Sequence, residues 1–277
     1  MSDYTKDFTR ISAKKSYDPE TALSLAVACH QAYKKKSEIE QAALKWGFPK
    51  PRFITVSKGK TIDTQCFVMA DDKNVVVVFR GTSSIVDWLT DFRAVREPGP
   101  LTQKALAHEG FQDALFPAVI ALTDAVDTFR THDQKVWVTG HSLGGALCSL
   151  YAGMLLENKV PVYGIYTFAS PRPGDSDFVD ALDAAVPGPH YRVVNEGDIV
   201  PHVPPEPFFS HAGKRIILYK KKREQSKKAW KELRHKMFGE LMDMTGRPWE
   251  IADNHVLDDP ESGYLVRLKA DLSRQKR

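Results

Sequence analysis

The chain has 277 residues, 42% apolar and 27% charged, with a formal net charge of +4. That balance excludes a disordered chain. No run of 18 apolar residues is present to cross a membrane as a helix.

In chain order, the first 17 residues are polar. Asp18-Pro19-Glu20 starts a helix, with Asp18 as N-cap and Pro19 in the first turn. It is expected to reach about Tyr33 and is apolar almost all round, as a buried helix is. Ser37-Glu38-Ile39-Glu40 reads as a capping box for a second short helix ending near Gly47. Strands are expected over 53–57, 62–70 and 75–80, the last two joined as a hairpin through Asp71-Asp72-Lys73-Asn74. The run Val75 to Phe79 is continuously apolar, as a central strand buried on both faces should be. Ile85, Trp88, Leu89 and Phe92 then recur at helical spacing, before Pro98-Gly99-Pro100. A long helix follows over 111–130, a strand over 136–138 and a helix over 143–156. After these come a strand over 162–169, a helix over 176–185 and strands over 191–195 and 215–219. A helix over 261–272 closes the chain. The alternation predicts one α/β domain over 1–277, its mostly parallel or mixed sheet covered by helices on both faces.

Cys29, Cys66 and Cys148 each lie in an apolar run, so buried thiols are expected rather than disulfides. With no N-x-S/T site and no apolar signal segment near Met1, a cytoplasmic or signal-less protein is expected. A secreted mature form stays open.

Gly140-x-Ser142-x-Gly144 sits between a predicted strand and a predicted helix. That is the setting of a nucleophile elbow, where a sharp turn projects the serine hydroxyl and crowds the residues two before and two after. A serine nucleophile needs a base, and the base an orienting acid, in the chain order Ser, Asp or Glu, His. The order removes His30, His108, His132 and His141. His190 begins a strand, His202 shares a loop with the best acid, and His211 reads as a structural hydrogen-bonder. His235 lies among lysines. His255 remains as the base. Asp198, after a strand and Gly197, is the first choice of acid and Asp175 its rival. An oxyanion hole needs the N–H of Leu143 and a donor from an earlier loop, for which Arg80-Gly81-Thr82 is the candidate.

Several stretches then occur together in one order. They are Val78-Phe79-Arg80-Gly81-Thr82, Asp87-Trp88-x-x-Asp91, His108-Glu109-Gly110-Phe111 and Gly140-His141-Ser142-Leu143-Gly144-Gly145. Thr167-Phe168-Ala169-Ser170-Pro171-Arg172-Pro173-Gly174, Asn195-Glu196-Gly197-Asp198 and Asn254-His255 follow. On these the chain resembles the class 3 lipases, the fungal-type triacylglycerol lipases. The resemblance implies an α/β-hydrolase fold and a Ser142-Asp198-His255 triad. It also implies oxyanion donors at Thr82 and Leu143, and a short helical lid over about 83–97 carrying Trp88. Arg215 and Ile217 stand where the family carries acidic and aromatic residues.

The reading is a serine esterase or lipase acting on acylglycerol esters through an acyl-enzyme, with no metal or cofactor. Phospholipase A1 and aryl (feruloyl-type) esterase are alternatives within that chemistry. A non-catalytic lipid-binding or signalling protein is the alternative outside it. The apolar face Ile85, Trp88, Leu89 and Phe92 would cover the substrate, or belong to a fixed surface helix. Residues 220–236 hold nine Lys and Arg against two Glu, an excess of +7 that leaves −3 for the rest of the chain. This basic amphipathic stretch, within an insertion over about 220–245, could meet an anionic lipid surface or simply face water. No motif points to nucleic acid.

Overall fold

The computed structural model describes residues 3–58, 62–82, 93–219 and 254–275. Ile85, Trp88, Leu89, Phe92 and the whole basic stretch 220–236 lie outside the described residues. The described strands are β1 (Arg52–Lys58), β2 (Ile62–Ala70), β3 (Asn74–Phe79), β4 (Arg96–Pro98), β5 (Leu106–His108), β6 (Lys135–His141), β7 (Gly164–Phe168), β8 (His190–Asn195) and β9 (Lys214–Leu218). The longer helices are α1 (Pro19–Gln31), α2 (Lys36–Lys45), α3 (Glu109–Phe129), α4 (Leu143–Glu157), α5 (Ser176–Ala185) and α6 (Tyr264–Gln275).

One sheet runs in the order β1-β2-β3-β6-β7-β8-β9. The β1–β2 and β2–β3 pairs are antiparallel. The Asp71 carboxylate turns the second hairpin by accepting the N–H groups of Lys73 and Asn74 at 2.8 and 2.6 Å. From β3 onward the pairs are parallel. The registers Phe79↔Gly140, His141↔Phe168 and Phe168↔Val193 bring the carboxyl ends of β3, β6 and β7 level beside the last residues of β8. The loops after these strands therefore meet at one end of the sheet, where open α/β sheets bind ligands.

Alternate residues of the same strands feed two cores. Val75, Val77, Val136, Val138 and Ile165 pack with α3, α4 and α5. Val76, Val78, Trp137, Tyr166 and Val193 pack with α1 and α6. This two-sided burial is what the unbroken apolar run of β3 predicts. Trp137 is wholly buried and donates its indole N–H to Asn74 at 2.9 Å. Its loss would cost about 3–5 kcal/mol.

The structure departs from the sequence reading in a few places. The first helix stops at Gln31 rather than Tyr33. The second begins at Lys36, because Glu38 reaches back to the Lys35 N–H at 3.1 Å and Glu40 plays no such part. The last helix starts at Tyr264, since Asp259 holds the N–H groups of Glu261 and Ser262 in a turn. A two-stranded hairpin, β4 with β5, was not expected. It is short, exposed along β4 and carries Pro98, so nothing in its pattern marks a strand. Its first strand occupies the end of the 83–97 range read as a lid.

Candidate active site

Ser142 follows β6 and precedes α4 with φ 58° and ψ −133°, a conformation that costs a non-glycine residue about 1–3 kcal/mol. Surroundings that leave no alternative hold it there. Its N–H is donated to the Phe168 carbonyl of β7 at 2.9 Å. A Cβ on Gly140 would stand 2.1 Å from the Gly144 carbonyl oxygen, and one on Gly144 would stand 2.5 Å from that of Phe79. Both glycines of the motif are therefore required by close approach. Leu143 is the first residue of α4, where a helix leaves its N–H without an intrahelical acceptor.

The loop after β3 lies against the elbow. A Cβ on Gly81 would meet the Tyr33 hydroxyl at 2.5 Å, the His141 carbonyl at 2.6 Å and the Ser142 Cβ at 3.0 Å. Thr82 is the next residue in this loop.

Asp198 follows β8 through the turn at Gly197, whose φ is +89°. The carboxylate is buried and meets three donors. These are the Tyr264 hydroxyl at 2.6 Å, the Val200 N–H at 3.0 Å and His255 Nδ1 at 3.1 and 3.2 Å from its two oxygens. Burial and the neighbouring Asp198 raise the Tyr264 hydroxyl well above the ordinary phenol range, so it stays a donor. Tyr264 in turn accepts the Asn195 N–H at 3.0 Å. Asn195 donates to the carbonyls of Asn254 and Ser262, both at 2.9 Å, which fixes the loop that carries His255. With Nδ1–H given to Asp198, Nε2 of His255 is the unprotonated nitrogen. It is buried and has no hydrogen-bond partner among the described residues; the same holds for Ser142 Oγ.

His141 links His255 to the elbow. Its ring lies 4.8 Å, centroid to centroid, from that of His255, and its Nε2 donates to the His255 carbonyl at 2.8 Å. A carbonyl can only accept, so His141 Nδ1 is the acceptor, and the Tyr33 hydroxyl donates to it at 3.0 Å. Tyr33 also accepts the Gly81 N–H at 3.1 Å. Burial first, then the nearby His255, pull the His141 imidazole well below its usual range, so it is neutral.

The other candidates have structural partners. Asp175 caps α5, accepting from Phe178 N–H at 2.9 Å and Leu106 N–H at 3.1 Å. His108 caps α3, His190 meets Asp183, and His211 Nε2 donates to the Pro201 carbonyl. Sequence reasoning set His141 aside and overlooked Tyr33, Tyr264 and Asn195. The two tyrosines are distant in sequence from their partners and follow no motif. His141, next to the nucleophile in a buried strand, was the one available signal. All three cysteines are free and buried, as expected.

A model of the family described as lipase (class 3) matches residues 76–208. The chain is 39% identical to a lipase of Rhizomucor miehei over 160 residues, 54% of this chain and 44% of that one. It is 33% identical to the secreted mono- and diacylglycerol lipase 1 of Fusarium solani over 135 residues, 48% of this chain and 40% of that one. The chain thus spans less than half the length of these relatives. The solved Rhizomucor miehei triacylglyceride lipase superposes with a TM-score of 0.59 at 30% identity, over 71% of this chain and 78% of that one. The fold is therefore that of the α/β-hydrolases, and the chain belongs to the class 3 lipase family.

Proposed function

We propose that the protein hydrolyses carboxylic esters of the acylglycerol kind through an acyl-enzyme on Ser142. The observation that carries this reading is the buried His255–Asp198 pair, its imidazole 4.8 Å from that of His141, the residue before the strained and buried Ser142. His255 takes the Ser142 proton as Oγ attacks the ester carbonyl. Asp198 keeps the ring in its tautomer and stabilises the imidazolium that forms. The Leu143 N–H and Thr82 hold the tetrahedral oxyanion, a role worth about 10²–10³-fold per donor. His255 then protonates the leaving alcohol and activates the water that releases the acyl group.

Acylglycerol is favoured over phospholipid or aryl ester because the Fusarium solani relative is named a mono- and diacylglycerol lipase and the solved Rhizomucor miehei protein a triacylglyceride lipase. Ile85, Trp88, Leu89 and Phe92 are proposed as the lid face over the acyl pocket. Residues 220–236, by sequence alone, are proposed to meet an anionic lipid surface. The described helices include none long and apolar enough to cross a membrane. A cytoplasmic site of action rests on the sequence alone, and the secreted Fusarium relative points the other way.

A fluorophosphonate should label Ser142 covalently, more slowly in His255→Ala. Equal labelling of wild type and Ser142→Ala removes the proposal. Rates on soluble short-chain esters, emulsified triglyceride and phospholipid then rank the substrates. Labelling without turnover on any of them would favour a lipid-binding role instead.

A further inference from the structure

The face of β8 and β9 turned away from α1 and α6 carries a charge arrangement that the ester chemistry does not use. The parallel register sets Arg192 directly opposite Arg215. Like charges so placed destabilise a sheet unless something of opposite sign lies between them. Both side chains line a cavity of about 420 Å³, closed on its far side by the loop 197–211 and walled in part by Val194 and Ile217. Ser142 and His255 do not line it. Asp198 does, so the cavity lies behind the acid of the triad.

The local acids are already engaged. Glu206 is paired with Arg172 at 2.9 Å, and Arg172 also donates to the carbonyls of His202 and Pro204. Asp198 is surrounded by His255, Tyr264 and Val200. Asp183, which also acts on Arg192, holds His190 at 2.7 Å. Arg192 Nε is buried without a hydrogen-bond partner. Burial first, then Arg215 and Arg172, pull the Arg192 guanidinium down to about 10. His211 adds no charge, because burial and the arginines hold it neutral. Among the described residues neither Arg192 nor Arg215 forms an ion pair with a carboxylate, although Asp198 and Glu206 also line the cavity and Asp183 and Glu206 favour the charged form of Arg192. Three arginines (Arg172, Arg192 and Arg215) against two carboxylates (Asp198 and Glu206) leave the lining with one positive charge in excess, which favours an anion. Arginine forks fit the oxygens of phosphate in pairs.

We propose that this cavity binds a phosphate group, either free or as a phospholipid headgroup. The volume exceeds that of bare phosphate and leaves room for a headgroup's glycerol beside Val194 and Ile217.

The test uses the full chain, inorganic phosphate at low ionic strength, and the variants Arg192→Met and Arg215→Glu. Arg215→Glu places a carboxylate opposite Arg192. It should raise Tm in the absence of phosphate and weaken phosphate binding by about tenfold or more. Arg192→Met should weaken binding similarly. Both should hydrolyse a soluble short-chain ester at the wild-type rate, which shows that each folds. Phosphate should raise the wild-type Tm and not that of Arg215→Glu. Phosphatidylcholine vesicles with and without phosphatidic acid separate the two sources. Capture by phosphatidic acid that is competed by phosphate and lost in Arg215→Glu identifies a headgroup site. Equal capture of wild type and variant, with phosphate still telling them apart, identifies a site for free phosphate. The proposal is overturned if phosphate neither binds nor stabilises the wild type, or binds Arg215→Glu as tightly.

Discussion

His255 is held in two different ways, one for its ring and one for its backbone. The ring is gripped by Asp198, which is itself gripped by Tyr264. The backbone carbonyl is gripped by His141, which is itself gripped by Tyr33. Both supports are buried chains of two side chains ending in a tyrosine hydroxyl. Both tyrosines also accept a backbone N–H, Asn195 on one side and Gly81 on the other. They differ in what they control. In the mechanism proposed, the ring support sets which nitrogen carries the proton and stabilises charge on it. The backbone support sets where the ring stands relative to the elbow and to the loop of Thr82. The first should govern the chemical step and the second the alignment of the site.

The comparison breaks most sharply at the acid. Asp198→Asn should lower kcat by about 10⁴-fold, because an amide no longer enforces the tautomer or supports the imidazolium. Asp175→Asn should leave kcat near wild type and cost about 1 kcal/mol or less through its helix cap. Steady-state kinetics beside denaturant melts check both, and a reversed pattern would transfer the acid's role to Asp175. Tyr264→Phe comes next. It strips a charge-assisted hydrogen bond from Asp198 and leaves the Asn195 N–H unsatisfied, so kcat should fall about tenfold, with about 1–3 kcal/mol of stability lost. Tyr33→Phe should have a smaller effect on kcat, a few-fold. Its distinguishing sign is a comparable slowing on every ester tested, since Gly81 and His141 are loosened together. If Tyr33→Phe slows turnover as much as Tyr264→Phe, the two supports are not separable as described.

In acid the effect falls on stability rather than on rate. His141 and His211 are held well below their ordinary value of 6.5, and His108 at about 4, in each case chiefly by burial. Their protons are bound more readily by the unfolded chain. Stability should therefore be flat above pH 6.5 and fall as pH drops below it, by up to about 1.4 kcal/mol per pH unit for each such group. Thermal melts from pH 8 to 5 measure this. His211→Asn should flatten the slope, and an unchanged slope would mean that these imidazoles titrate alike in both states.

The sequence was most legible where the local pattern and the chemistry coincide. The β3 run, the glycines flanking Ser142, and the Asp198 turn each follow from sterics acting within a few residues. The alternation of elements gave the sheet and its two covering layers for the same reason. What escaped was decided by contacts distant in the chain. Tyr33 meets His141 across 108 residues, and Tyr264 meets Asp198 across 66. Neither tyrosine carries a local mark of its partner. The β4–β5 hairpin escaped for the opposite reason: three residues with a proline carry too little pattern to read.

The three cysteines turn the two-layered core into something that can be timed. Cys29 belongs to the core beside α1 and α6, while Cys66 and Cys148 belong to the core beneath α3, α4 and α5. Burial pushes the Cys29 and Cys66 thiols up to about 12 and lifts the Cys148 thiol well above its usual range, so none reacts from the closed state at neutral pH. Alkylation can then proceed only through opening. The order in which Cys29 and the other two acquire label, read by mass spectrometry without any substitution, reports which side of the sheet lets go first.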